Sequence, residues 1–411
     1  MVAKNGSGRM AKPTIVILGA GYAGLTAALT LQKNLTEDDA KIILVNKHSY
    51  HYQTTWLHEN AAGSLHDNHT KISIDKLVDQ EKIECLVDTV TEIRSEKQHV
   101  CLAEHGCITY DYLVVALGFE MNTFNIPGVT EYAYTIGSID KSSHLRQQMD
   151  IKLAAYSKQK SDHPFTIVVG GGGFTGVEYL GELTDQLSDW CKKYQLTKQD
   201  FKLITIEREH SVMPGFNLEL GEYAMQALEN KGITFYLGTS VKRVRADHVI
   251  VEKNSWTQEI PMSMFIWTAG VRANRLIEQS DLPNKNGSVE VTADMRVPHS
   301  KNVFVIGDSA TIYHPEHGEA VPPTAQMAMQ QGKICAKNIV AMIKGDKKEI
   351  KPFNYKEQGI IASLGKKDAI GILFNNKKIF GREAVMLKRL IENRVLYQLG
   401  GLSLLRKKKK F

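Results

Sequence analysis

Gly19, Gly21 and Gly24 stand as GxGxxG between an apolar run, TIVIL at 14–18, and a helix-like stretch, YAGLTAALTLQ. Strand, tight turn and helix start are the context in which this spacing binds a dinucleotide. The first glycine permits the turn, the second lets backbone amides approach a pyrophosphate at the helix N-terminus, and the third lets the helix pack close to the strand. Gly171, Gly173 and Gly176 repeat the arrangement after FTIVV at 165–169, with Gly170 and Gly172 leaving that loop unusually bare. The chemistry implied is the holding of two nucleotides by one chain.

The ends of the second strands separate the two sites. An acid there would hold both hydroxyls of an adenosine ribose and repel a 2′-phosphate. The first copy has Asn46, followed by Lys47, which is neutral where an exchanging NAD site would carry an acid and so fits a flavin dinucleotide. The second has Glu207, which favours NADH over NADPH, with Arg208 beside it tempering the preference. Asp308 closes the run FVIGD, where a carboxylate can accept hydrogen bonds from a polyol such as a ribityl chain or else cap the helix that follows. Glu178, two residues past Gly176, is either a carboxylate favoured by the helix dipole or a proton-handling group. Gln326 and Gln330, at i and i+4 after a proline pair, put two amides on one helix face, for helix packing or for a carbonyl ligand.

These residues need a sheet edge to stand on. Each glycine copy is followed by a helix and a further apolar strand, KIILVN at 41–46 and FKLITIE at 201–207, an order that enforces parallel pairing. The interval of 31 residues between Gly176 and Glu207 calls for an extended helix or an inserted loop. Further strand signals end at Gly118, Gly270 and Asp308. The fold class expected is α/β, with two Rossmann-like dinucleotide-binding domains and a C-terminal α+β domain. The boundaries expected are an N-terminal extension over 1–13, a discontinuous first domain over 14–125 and 290–345, a second domain over 126–289 and a third over 346–411. A chain of 411 residues, 43% apolar and 23% charged, suits such a division. No apolar run approaches the roughly 18–20 residues of a membrane-spanning helix.

The five cysteines, Cys85, Cys101, Cys107, Cys191 and Cys335, include no CxxC pair and no zinc spacing, and no metal site is expected. They read as structural thiols. Cys101 and Cys107 could form a redox pair, although they flank the turn of a segment that reads as a hairpin. Net charge is +6, yet from Asn375 to Phe411 eleven Lys and Arg face only Glu383 and Glu392, which leaves the rest of the chain at −3. The body is therefore not a nucleic-acid binder, and the basic character belongs to the tail.

Taken together, LGAGYAGL, HSYHYQTTWLHENAAG, YDYLVVALGF, VGGGGFTGVEYLGEL, WTAGVRAN, FVIGDSA and TAQMAMQQG resemble the two-dinucleotide-binding-domain flavoproteins, and among them the bacterial type II NADH:quinone oxidoreductases, over nearly the whole chain. The resemblance implies FAD on Gly19, Gly21 and Gly24, with Asp308 on the ribityl chain, Ala325 near the isoalloxazine, and Asn46, Lys47, Thr55 and Gly118 as further cofactor contacts. It implies NADH over Gly171, Gly173, Gly176 and Glu207, and a membrane quinone, with a menaquinone the expected acceptor, near Gln326 and Gln330. Glu178 would couple proton handling to either substrate. The activity implied is hydride transfer from NADH to FAD and two-electron reduction of quinone, without proton pumping. A homodimer attached peripherally to the cytoplasmic face of the membrane is implied as well. Asn46 departs from the acid that many members of the wider superfamily carry.

A leaflet attachment also has support in the tail. A helix over 383–399 would align Leu387, Leu390, Ile391, Val395 and Leu402, with Arg389, Glu392 and Asn393 facing away and Lys388 and Arg394 snorkelling. Gly400 and Gly401 would end it before LSLLRKKKKF, so burial and basic charge would together hold an anionic surface. The same helix could instead line a dimer interface. Two other activities fit the architecture. Sulfide:quinone oxidoreductase and disulfide reductase chemistry need paired cysteines that the motif segments lack, and a non-turnover NAD(H) sensor would use the same domains.

Overall fold

The computed structural model describes residues 12–160, 162–313, 318, 320–374 and 376–410. The extension expected over 1–13 lies outside the described residues apart from its last two. Two five-stranded sheets dominate. In the first, the strands run in the spatial order Val303–Val305, Tyr112–Val115, Thr14–Leu18, Lys41–Asn46 and Ile83–Val87, all parallel. The second repeats the plan with Ala133–Thr135, Met264–Trp267, Phe165–Gly170, Phe201–Ile206 and Ile233–Tyr236. The apolar runs are buried on both faces, as covered parallel strands must be. In each sheet the chain leaves the central strand to one side and later returns to the other, which creates the crevice where open α/β sheets bind ligands.

The two glycine copies begin identical geometry. Helix Tyr22–Asn34 follows Gly21 and helix Phe174–Tyr194 follows Gly173. The second helix has 21 residues against 13 in the first, and this added length fills the long interval before Glu207. Helix Ala325–Ile343 crosses Tyr22–Asn34 so closely that a methyl group on Gly332 would lie 2.2 Å from the Ala23 carbonyl oxygen.

The C-terminal segment ties the two halves together. Its antiparallel strands Ile360–Ser363, Ala369–Ile372 and Lys378–Phe380 send Ala362, Leu364 and Ile370 into the second domain's core. The helix after them sends Leu396, Leu399 and Leu404 into the first. Helical turns run over Gly381–Lys408 as two helices. The backbone leaves helical geometry at Gly400 and at Gly401 (φ +63), so the glycine pair ends the first helix where termination was expected, and a second, short helix follows across the kink.

The reading of all five cysteines as free thiols is corrected. The hairpin is present, with Cys101 directly opposite Cys107 on strands His99–Leu102 and Gly106–Thr109, and the two are joined as a disulfide. Adjacent cross-strand positions bring the sulfurs together, which spacing in the sequence alone understated.

Gly332→Ala should lower stability by about 1–3 kcal/mol through overpacking of the helix crossing. Urea unfolding of the two proteins compares this directly, and an unchanged midpoint would show that the helices can separate freely.

Candidate functional site

The loop after each central strand is built from the same three constraints. Gly19 (φ +98) and Gly171 (φ +116) take a left-handed turn that a side chain disfavours. A methyl group on Gly24 would lie 1.9 Å from the Gly19 carbonyl oxygen, and one on Gly176 would lie 2.0 Å from that of Gly171. Gly21 and Gly173 differ from both. Their φ values of −70 and −73 suit any residue, and among the described residues no atom beyond the adjoining ones lies within 4 Å of the position a Cβ would take. Nothing inside the chain calls for glycine there, and bareness at a helix N-terminus is what a pyrophosphate requires.

The strand ends hold these loops from below. Asn46 Oδ1 accepts a hydrogen bond from the Ala20 amide (3.0 Å), while its own amide donates to the His48 carbonyl (2.7 Å). At the matching place Glu207 Oε2 accepts from the Gly172 amide (2.7 Å), and Oε1 accepts from the Glu209 amide (2.9 Å). Each side chain braces the second residue of its loop. Arg208 is directed to Glu209 at 3.1 Å.

A cleft of about 1670 Å³ opens at the first sheet's edge and reaches the second domain. That exceeds the range of about 300–1,000 Å³ usual for one small ligand. Gly19, Gly21, Asn46, Lys47, Thr55, Gly118, Asp308 and Ala325 all line it, and Glu178 and Phe174 reach it from the second domain. Gly171, Gly173, Gly176 and Glu207 are not in this lining, although Phe174 and Thr175, which follow Gly173, are. Asp308 follows Gly307 (φ +74), and burial raises its carboxyl above the usual carboxylate range. A buried carboxyl of this kind is suited to hydroxyl donors, and the bare glycines with Asp308 fit an FAD in the first cradle.

Gln326 and Gln330 turn away from the lining. Gln326 Nε2 donates to the Gly359 carbonyl (3.3 Å), and Gln330 exchanges hydrogen bonds with the Lys356 backbone at 3.0 and 3.1 Å. The two amides hold the strap that runs over their helix. Gln331, which the sequence did not single out, is fully buried; its Oε1 accepts from the Gly307 amide (2.5 Å), while its Nε2 has no partner among the described residues. It braces the turn that presents Asp308.

Glu178 sits in a buried charge network. Its Oε1 pairs with Lys388 Nζ and accepts from the Ser363 amide (3.1 Å), and its Oε2 is 3.6 Å from His58 Nδ1. Burial alone would raise this carboxyl, but the Lys388 ammonium and His58 outweigh it and hold the group down. Lys388 is pushed up by the same pairing in spite of its burial. Beyond His58 come Glu59, paired with Lys410, and Glu392, 3.5 Å from Lys410. Lys410 also lies 4.1 Å over the Trp56 ring. Three expectations for the tail are therefore corrected. Lys388 does not snorkel outward but enters the site, Glu392 faces inward, and Lys408 and Lys410 fold back onto the body, where Lys408 Nζ donates to the carbonyls of Asn68 and Lys71. The buried carboxylates explain this, since each needs a cation. His58 lies inside the HSYHYQTTWLHENAAG segment and Lys388 on the 383–399 helix, but nothing in either pattern pointed to Glu178.

Residues 13–332 match the family model described as pyridine nucleotide-disulphide oxidoreductase. A type II NADH:quinone oxidoreductase of Staphylococcus epidermidis is 38% identical over 399 residues, covering 97% of this chain and 98% of its own. The chain belongs to the type II NADH:quinone oxidoreductase family. A relative of the same name from Staphylococcus aureus is 36% identical over the same share. Among solved structures, NDH2 from Plasmodium falciparum in complex with NADH superposes with a TM-score of 0.85 at 20% identity, covering 97% of this chain and 98% of that one. The sulfide:quinone oxidoreductase of Aquifex aeolicus gives 0.78 at 20% identity, over 95% and 92%. These last two likenesses are of fold. In this family member the bonded cysteines sit on the outer hairpin and not in the lining of the cleft.

Burial drives the imidazoles of His51 and His58 down to about 4, so both are neutral in the folded protein. An unfolded histidine titrates near about 6.5 and takes up its proton first as pH falls. Their stabilising contribution is complete above that pH and drains away toward the folded value. The unfolding free energy in urea should therefore drop between about pH 6.5 and 4, by up to about 1.4 kcal/mol per pH unit for each histidine. His58→Asn should remove one such increment of slope, and an unaltered slope would mean that His58 is charged in the folded state.

Proposed function

We propose that the protein oxidises NADH and reduces a membrane quinone, with FAD in the first cradle on Gly19, Gly21 and Gly24 and NADH over Gly171, Gly173, Gly176 and Glu207. The observation that carries this is the pair of bare positions, Gly21 and Gly173, at two switch points, the first lining the cleft and the second followed directly by Phe174 and Thr175 of its wall. Bound FAD supplies a hydride acceptor that can pass on two electrons. The chain supplies placement and charge. Asp308 and the Gly118 turn orient the cofactor's polyol side, and Ala325, the first residue of its helix, gives an approach without bulk. Glu207, already bonded to two backbone amides, stays an acceptor for ribose hydroxyls and opposes a 2′-phosphate.

Glu178 is the proton-handling group in this reading, on the wall where the second domain meets the cleft. Its carboxylate is ionised while Lys388 holds it, so delivery of a proton to reduced quinone requires that ion pair to part. Gln326 and Gln330 belong to the quinone side through the 356–359 strap they hold. A menaquinone is the expected acceptor, the reaction moves no proton across the bilayer, and association as a homodimer is supported by the family resemblance.

Attachment to a leaflet is supported by a row of exposed apolar side chains. It differs from the row read in the sequence. Leu387 and Val395 pack inward, while Met386, Leu390, Tyr397 and Leu402 are exposed, joined by Phe374, 74% exposed, on the preceding hairpin turn. Arg382, Arg394, Arg406 and Lys407 are exposed on the same helix. Apolar anchors with basic neighbours suit an anionic interface, at about 1 kcal/mol for each basic residue near the surface. Among the described residues no helix is long and apolar enough to cross a membrane.

Gly21→Val should yield a folded protein without flavin. Gly173→Val should keep its flavin colour and lose at least about tenfold in kcat/KM for NADH, because each side chain fills ligand space and touches no protein atom. Anaerobic stopped-flow with NADH, NADPH and a quinone in turn reads the order of reaction, and a flavin that NADH does not bleach, or that quinone does not reoxidise, would reject the proposal. Leu390→Glu with Leu402→Glu should weaken binding to anionic vesicles by at least about tenfold while leaving oxidation of NADH by a water-soluble quinone intact. Equal binding by the variant would place the contact elsewhere.

A further inference from the structure

Cys101 and Cys107 stand outside the cleft yet at the end of a short path into it. Cys107 is exposed and Cys101 half-buried. A ring nitrogen of His99 and both sulfurs lie within 4.8 Å of one another. The turn between the two cysteine strands is held by a single carboxylate, since Asp88 accepts from the amides of Glu104 (3.0 Å) and His105 (2.9 Å), with His105 Nδ1 2.7 Å away. The Ala103 amide donates to the Thr89 carbonyl (2.9 Å). Asp88 in turn donates its own amide to the Asn46 carbonyl (3.0 Å), and Asn46 braces the glycine loop through Ala20. Asp88, Thr89 and Val90 line the cleft beside Asn46.

We propose that Cys101–Cys107 is a reversible thiol–disulfide exchange site, acted on by a dithiol reductant, that sets how firmly the first cradle holds the nucleotide end of FAD. The inference rests on the assignment of FAD to that cradle. A thiolate of the reductant attacks the exposed Cys107 Sγ, the bond to Cys101 breaks, and Cys101 leaves as a thiolate that takes a proton from water. The reductant's second thiol then displaces Cys107 from the mixed disulfide. Two electrons pass from dithiol to protein, two protons end on Cys101 and Cys107, and the reductant departs as its own disulfide. The cross-link pins the two ends of the 103–105 turn. Its loss frees that turn to exchange, and the donors that hold Asp88 beside Asn46 then open with it.

The test uses the full-length flavin-loaded protein, as purified in air and after dithiothreitol, desalted into EDTA so that no divalent ion settles on His99 and the two thiols. Thiols titrated after denaturation should rise from three to five. FAD release on dilution, followed by its fluorescence, should become at least about fivefold faster, the scale of one or two lost hydrogen bonds. The double variant Cys101→Ser, Cys107→Ser should show the fast rate before and after dithiothreitol, and Asp88→Asn should show it with the disulfide intact. Release unchanged within about twofold in the reduced protein and the double variant would overturn the proposal, as would five titratable thiols before any reductant is added. A failure of the cradle assignment looks different, because Gly21→Val would then retain its flavin while the thiol count still reports on the sulfurs.

Discussion

Everything in the site depends on how closely a helix can approach the strand that precedes it. With Gly24 and Gly176 bare, the first turn of each helix lies against the carbonyl of the glycine that opens the loop, nearer than any side chain would permit. That contact aims the free amides of the helix N-terminus at the sheet edge. It also leaves the second glycine of each loop open, so that outside atoms can come within reach of its backbone. Both sheets, the matching neighbours of their central strands and the braces from Asn46 and Glu207 serve to hold these two contacts in register.

Such contacts are local in sequence, which is why so much of the architecture was legible there. A strand, three glycines and a helix occupy a short window, and so do the acid or amide at the next strand end and the Gly-Asp after Val305. Gly19, Gly21 and Asp308 accordingly line one cleft, together with Ala325, which the family resemblance pointed to. What stayed hidden is long-range. The partners of Glu178 arrive from His58 and Lys388, more than a hundred residues away on either side, and nothing in the pattern around either of them pointed to Glu178. The helical pattern of 383–399 was real, but periodicity reports two faces without saying which one meets the body. The buried carboxylates decided that question by drawing Lys388 and Lys410 inward and leaving Met386 and Leu390 outside.

The charge network is balanced in a way that accounts for its persistence in a buried place. Glu178 and Glu59 are each matched by a lysine, Lys388 and Lys410, so the pairs neutralise one another where an uncompensated charge would be strongly unfavourable. His58 stays neutral between them. Glu392 is the carboxyl left over, and burial pushes it above its ordinary range, with Lys410 and Lys388 pulling the other way.

One helix therefore carries two duties on opposite faces. Outward it offers apolar side chains and arginines suited to a lipid surface, and inward it offers Lys388 to the carboxylate proposed to serve quinone reduction. A displacement of that helix moves both faces together, because Leu396 and Leu399 anchor it to the first domain while Lys388 reaches to the second. The kink at Gly400 and Gly401 then has a mechanical meaning. It lets the last turns fold back to deliver Lys408 and Lys410 to the body while Met386, Leu390 and Tyr397 stay exposed on the outer face.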